Sequence, residues 1–123
     1  MIFQRKQTTK AAGDSAESQA CDHLQQQGLT LIERNYRTRR GEIDLIMQQD
    51  RTLVFVEVRL RANDQFGSAA ESITSRKQSR IIAAAQHYLQ QQPSSLACRF
   101  DVVAISGKTD RSINWIPNAF QTD

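Results

Sequence analysis

The sequence predicts an α/β fold: a mixed sheet of about five strands, flanked by an N-terminal helix and by a long helix after the third strand. Two patterns predict it. Apolar residues recur at helical spacing before Gly28 and again over residues 81–89. Between these segments, and again toward the C-terminus, runs of strand length are rich in Ile, Leu, Val and Phe and bounded by turn residues.

Taken in order, residues 1–12 read as a mobile basic tail, and residues 13–120 as a single domain. Gly13 and Asp14 can open a helix, Asp14 as its cap, with Gly28 as the C-terminal stop. Ala20, Cys21 and Leu24 form its apolar stripe, and Glu17 stands a helical turn before Ala20 and Cys21, on the same side. Strands are expected over 29–37, 42–48 and 52–61, joined by the turns Thr38-Arg39-Arg40-Gly41 and Gln49-Asp50-Arg51. On the third strand Leu53, Phe55, Glu57, Arg59 and Arg61 share one face, and Val54, Val56, Val58 and Leu60 the other. Both faces begin apolar and one ends charged, as in a sheet covered on both sides that opens at one end into a polar cleft. Ser68 with Glu71 and Ser75 with Gln78 match capping boxes, so the second helix begins after Gly67 or restarts near Ser75 and runs to about Gln92. Its stripe is Ile81, Ile82, Ala85, Tyr88 and Leu89, and Lys77 lies a turn before Ile81, able to overhang the sheet. Strands over 97–105 and 111–116, joined by a turn at Gly107-Lys108-Thr109-Asp110, complete the sheet.

At 123 residues and 39% hydrophobic content, the chain can bury one core. It has no apolar run near the roughly 20 residues of a membrane span, and its first ten residues lack a signal-peptide core, so a cytoplasmic protein is expected. Cys21 and Cys98 stand alone, which suggests reduced core cysteines rather than a disulfide or zinc site. His23 and His87 have no ligand-spaced neighbour and read as structural. Gly107-Lys108-Thr109 is not a phosphate loop, because Val102 stands where its first glycine belongs. The net charge of +3 is unevenly spread: Arg34, Arg37, Arg39, Arg40, Arg59, Arg61, Arg76, Lys77 and Arg80 cluster around two acids, Asp44 and Glu57. Phosphate suits such clusters, although arginines also solvate ordinary surfaces.

Asp44 and Glu57 carry the chemistry. Each interrupts an otherwise apolar strand, and a buried carboxylate needs a cation or donor to offset its desolvation. Antiparallel pairing can set the two side by side, where magnesium, or manganese in its place, could bridge them to a phosphate oxygen. The plainer alternative is a hairpin whose charges only pair, Glu57 with Arg59 or Asp44 with Arg40. Glu17 has one too, a first-turn glutamate favoured by the helix dipole.

An acid followed at a short interval by Glu-x-Lys at a strand end is the signature of the PD-(D/E)xK phosphodiesterases. Here it comes with Gly13 and Glu17, Arg34-Asn35-Tyr36-Arg37, Gly41-Glu42-Ile43-Asp44-Leu45-Ile46, Val54-Phe55-Val56-Glu57-Val58, Phe66-Gly67, Arg99-Phe100-Asp101-Val102-Val103-Ala104 and Asn118-Ala119-Phe120. Together these resemble the YraN family of small, uncharacterised bacterial proteins. The resemblance implies a restriction-endonuclease-like core related to Holliday junction resolvases, with Asp44 and Glu57 as metal ligands and Glu17 as an accessory acid. It departs at Arg59, where the lysine belongs; a guanidinium stays protonated and cannot act as a base. Either Arg59 stabilises phosphate, or Lys77 has taken over the lysine's work, or catalysis has lapsed. The expected function is thus a magnesium-dependent, structure-selective DNA endonuclease, with catalytic candidates Glu17, Asp44, Glu57, Arg59 and Lys77, and with Arg34, Arg37, Arg39, Arg40, Arg61 and Arg76 on nucleic acid. A homodimer would suit a symmetric substrate. The alternative is a non-catalytic nucleic-acid- or partner-binding module on the same scaffold.

Overall fold

The computed structural model describes residues 2–61, 73–92, 96–107 and 111–122, with side chains from Gly13 onward. Helix α1 (Ile2–Gln26) leads into strands β1 (Thr30–Arg37), β2 (Glu42–Gln49) and β3 (Thr52–Arg61). Helix α2 (Ser75–Gln90) then precedes β4 (Ala97–Ser106) and β5 (Ser112–Phe120). The sheet order is β1-β2-β3-β4-β5, antiparallel except for β3 and β4, which run parallel with α2 in the crossover between them. This is the expected mixed five-stranded sheet with one helix before it and one after its third strand.

The two faces of β3 sort the core. Val54 and Val56 lie with Leu45, Met47, Val103 and Ile105 under α1, whose Ala16, Ala20, Cys21 and Leu24 are buried against them. Leu53 and Phe55 lie with Ile46 and Phe100 under α2, whose Ile81, Ala84, Ala85 and Tyr88 repeat at the spacing of one helical face. On that side Phe55 stacks on Phe100 at 5.6 Å, Phe100 stacks on Phe120 at 5.0 Å, and Tyr88 meets Phe55 edge-on.

Several boundaries differ from expectation, each for a local reason. Helix α1 begins at Ile2, so Asp14 lies inside it rather than capping it; residues 2–12 contain no proline and continue the turn through Gly13. Its C-terminal stop is as expected: Gly28 has φ 99°, and the Leu29 and Gly28 amides donate back to the carbonyls of Leu24 and Gln25. The α2 cap is Thr74, whose hydroxyl accepts from the Lys77 amide at 3.1 Å, not Ser75 with Gln78. The Ser68–Glu71 box lies outside the described residues, as does most of the 107–110 turn. Strand β5 runs on past Pro117 to Phe120, because a proline costs no ladder bond on the outer side of an edge strand. Cys98 is exposed rather than in the core, since it sits at the uncovered start of β4.

Gly41 is where the β1–β2 hairpin meets α2. A Cβ there would collide with the Arg80 carbonyl oxygen, so the hairpin tip lies directly on the helix backbone. Thr38 closes the tip: its hydroxyl accepts from the Arg40 and Gly41 amides, both at 3.1 Å, and donates to the Gly41 carbonyl at 3.0 Å. Gly41→Ala must push hairpin and helix apart and is expected to cost about 1–3 kcal/mol in urea denaturation. An unchanged midpoint would mean that the two elements separate without strain.

Candidate functional site

Strands β2 and β3 pair from Gln49 with Thr52 up to Leu45 with Val56, and there the ladder ends. The next rung would set Asp44 opposite Glu57. Instead, Asp44 Oδ2 accepts the Val58 amide at 2.8 Å, taking the place of a strand carbonyl. The hairpin thus opens at the position where both acids lie, while β3 stays paired with β4 as far as Arg61 and Ser106. That support holds Glu57 rigidly.

Glu57 is 5% exposed and Asp44 half-buried. Lys77 reaches down from the first turn of α2 and places Nζ 3.4 Å from Glu57 Oε2, the overhang its helical spacing predicted. Burial, then the charge of Asp44 and a carboxyl–carboxyl hydrogen bond to it, push the Glu57 pKa up to about 8; Lys77 opposes this without cancelling it. The pairs of the plainer alternative do not form: Glu57 takes Lys77 rather than Arg59, and Asp44 takes the Val58 amide rather than Arg40. Arg59 lies two positions past Glu57 on the same side of β3, half-buried.

Glu17 points inward from α1, with its side chain 16% exposed. Arg34 approaches its Oε1 at 3.8 Å, yet that oxygen is buried and has no hydrogen-bond partner. Burial, and next the charge of Asp44, raise the Glu17 pKa above the ordinary glutamate value, against Asn35 and Arg34, which lower it. Asp44 therefore acts electrostatically on both glutamates. Glu17 opens onto a cleft of about 790 Å³ lined also by Gly13, Asp14, Asn35 and Arg37. Among the described residues no three His, Cys, Asp or Glu side chains gather closely enough to enclose a metal ion.

The arginines divide into groups that their sequence run does not suggest. Arg34 turns to α1, donating to Ser18 Oγ at 3.2 Å beside Glu17. Arg37 is exposed and pairs loosely with Glu42 at 3.6 Å. Arg39 and Arg40 stand exposed on the hairpin tip, and Arg76 on the first turn of α2. Arg61 ends β3, its carbonyl accepting the Gly107 amide at 3.1 Å.

One buried acid went unassigned in the sequence. Asp101 on β4 is fully buried and accepts from two nitrogens of Arg99, Nε at 3.0 and 3.3 Å and Nη2 at 3.2 Å, from Trp115 Nε1 at 2.9 Å and from the Asn118 amide at 2.9 Å. These four donors satisfy it, and it pins β5 to β4 where their register shifts. Among the described residues no helix is long and apolar enough to cross a membrane.

Comparisons with known proteins agree with the motifs. Residues 16–105 match the uncharacterised protein family UPF0102. The chain is 58% identical over 108 residues to a UPF0102 protein of Nitrosomonas europaea, covering 88% of this chain and 92% of that one. It is 51% identical to a UPF0102 protein of Janthinobacterium sp. (strain Marseille), over 97% of this chain and 95% of the relative. A third, from Hahella chejuensis, is 50% identical across 98% of both chains. The chain therefore belongs to the uncharacterised protein family UPF0102, the YraN family that its motifs resemble.

Proposed function

We propose that the protein is a magnesium-dependent endonuclease that cleaves phosphodiester bonds in branched or otherwise distorted DNA. The observation that carries this reading is the pairing register, which sets Asp44 beside Glu57 where β2 and β3 separate, so that the Asp44 charge acts on the buried Glu57. The charge of Asp44 beside the buried Glu57 raises the cost of ionising Glu57, and a divalent cation removes that cost. Glu17 Oε1 points the same way: it is buried with no hydrogen bond, its Arg34 ion pair being long at 3.8 Å, and such an acceptor suits a cation or a held water.

Asp44 and Glu57 are the residues that fit a hard ion, which takes one or two carboxylates and completes its shell with water and phosphate oxygens; three converging acids are not required. Such an ion supplies positive charge against the phosphoryl oxygens. The chain's own groups do the rest. Asp44 is held by the Val58 amide, so its second oxygen is oriented in advance. Lys77 is an ammonium already at Glu57 and can donate to a phosphate oxygen or orient a water. Arg59 keeps its charge at any working pH and can hold the scissile phosphate. Arg39, Arg40 and Arg76 lie exposed on the α2 side for contacts along the backbone. Manganese fits the same oxygen donors.

The test is a calorimetric titration of magnesium and manganese into the wild-type protein and the Asp44→Asn/Glu57→Gln variant, with branched DNA present. Metal taken up by wild type, and at least about tenfold more weakly by the variant, is the expected result. Equal uptake by both proteins would rule out these carboxylates as ligands. Arg59 at the lysine position favours one other reading, a binding module whose chemistry has lapsed. No metal uptake by either protein, with DNA bound equally by both, would establish it.

A further inference from the structure

Between the β1–β2 hairpin tip and α2 lies a second cavity of about 630 Å³ lined by Arg37, Thr38, Arg39, Arg40, Ala83 and His87. Half of these residues are arginines, yet the lining is mostly apolar, so the walls are aliphatic arginine stems and the Ala83 methyl. The hairpin side is rigid, closed by the Thr38 hydroxyl and seated on α2 at Gly41. The helix side is held by a cross-chain network: Tyr36 Oη lies 2.6 Å from His87 Nδ1, and Gln91 Nε2 lies 3.0 Å from the same nitrogen and donates to Tyr36 Oη at 3.3 Å. Both ring contacts are made to Nδ1, so the network holds the His87 ring in place from that edge. Nothing in the assignment of Asp44, Glu57 and Lys77 uses this arrangement.

We propose that this cavity receives one unstacked nucleotide of a single strand, its base between the His87 ring and the arginine planes and its phosphate on Arg39 and Arg40. The inference deepens the nuclease reading and rests on it. Three features support it. A mostly apolar pocket of this size with a few fixed polar groups is the form of a small-molecule site. Its walls offer the surfaces on which splayed bases stack, imidazole and guanidinium. Its position also fits: Ala83 lies about 9 Å beyond Lys77 along α2, at about 1.5 Å per residue. A strand rises roughly 3.4 Å per nucleotide. One strand laid along α2 could therefore keep a phosphate near Lys77 and insert a base into this cavity about three nucleotides away. Such a pocket would select DNA with an unpaired segment, since a paired base cannot leave the stack without cost.

The decisive variant is Ala83→Phe, which fills the cavity without altering charge, with His87→Ala as a second that removes the stacking ring. The probe is a dye-labelled oligothymidylate of about twelve nucleotides, compared with a duplex of equal length by anisotropy across a salt series in the absence of metal. Ala83→Phe is expected to weaken single-strand binding about tenfold with its salt slope unchanged and to leave duplex binding within about twofold. Arg39→Ala/Arg40→Ala is expected to reduce the single-strand slope by about 1 to 1.5. Single-strand binding within about twofold of wild type in both Ala83→Phe and His87→Ala overturns the inference, as does an equal loss on duplex. So does tighter binding of poly-glutamate than of oligothymidylate, which would assign the cavity to an acidic protein partner. If Ala83→Phe does not fold, His87→Ala decides. Metal uptake that depends on Asp44 and Glu57, with both cavity variants inert, overturns this inference alone; wild-type protein that binds no nucleic acid overturns it together with the nuclease reading.

Discussion

Replacing Asp101 with alanine is expected to cost about 3–5 kcal/mol of folding stability, because it removes one partner of a buried ion pair and leaves the other partner's donors behind. Arg99, with its side chain 23% exposed, can recover some hydration, which places the loss toward the lower end. Trp115 Nε1 and the Asn118 amide lose their acceptor as well, and each donor left unpaired adds to the cost. Urea denaturation followed by the fluorescence of Trp115, the sole tryptophan, reads this directly. A loss below about 1 kcal/mol would mean that the β4–β5 ladder holds β5 by itself. Asp101→Asn keeps an acceptor for Trp115 or Asn118 and should fall between.

The second large effect is on the pH dependence of stability, and it comes from Glu57. Its folded pKa of about 8 stands above the ordinary 4.5, so the folded protein holds a proton that the unfolded chain releases. Its contribution is therefore fully present below pH 4.5 and is lost as pH rises toward 8. Within that window stability should fall with a slope approaching about 1.4 kcal/mol per pH unit, and level off above it. Glu57→Gln, which keeps the shape and cannot ionise, should remove this fall and leave the variant more stable than wild type near pH 8. Denaturant midpoints measured from pH 5 to 9 provide the check. Parallel profiles for the two proteins would show that Lys77 already keeps the carboxylate ionised in the folded state.

Most of the architecture could be read from the residues because the apolar patterns are long and regular. All five strands, both helices and the two faces of β3 follow from spacing alone, and so does the reach of Lys77 to Glu57, since helical geometry determines where a first-turn side chain lies relative to its buried stripe. What spacing cannot supply is partner identity. Asp101 carries the same sequence signal as Asp44 and Glu57, a carboxylate among buried apolar residues, but two nitrogens of Arg99 on its own strand and two donors brought by the register of β5 make it a structural anchor. Asp44 and Glu57 instead meet each other, because their ladder stops one rung short. The run from Arg34 to Arg40 looks like one basic patch in sequence, whereas Arg34 turns to α1 and Arg39 and Arg40 stand on the hairpin tip. The link of Tyr36 to His87 and Gln91 has no sequence signature, as it joins β1 to the far end of α2 through side chains alone.

The parallel pairing of β3 with β4 also sets an order of events during folding. The two antiparallel hairpins among the first three strands close short loops, whereas joining Thr52 to Ala97 requires the intervening chain to be gathered first, an entropic cost that local contacts avoid. Glu17, Asp44 and Glu57 all lie in or before β3, while Lys77 lies in the segment that must be gathered and the β4 support for Glu57 lies beyond it. As the chain leaves the ribosome, the two strand acids are thus brought together before the lysine that faces one of them has been folded into place, so the N-terminal half passes through a stage in which a proton on Glu57, rather than Lys77, offsets the charge of Asp44.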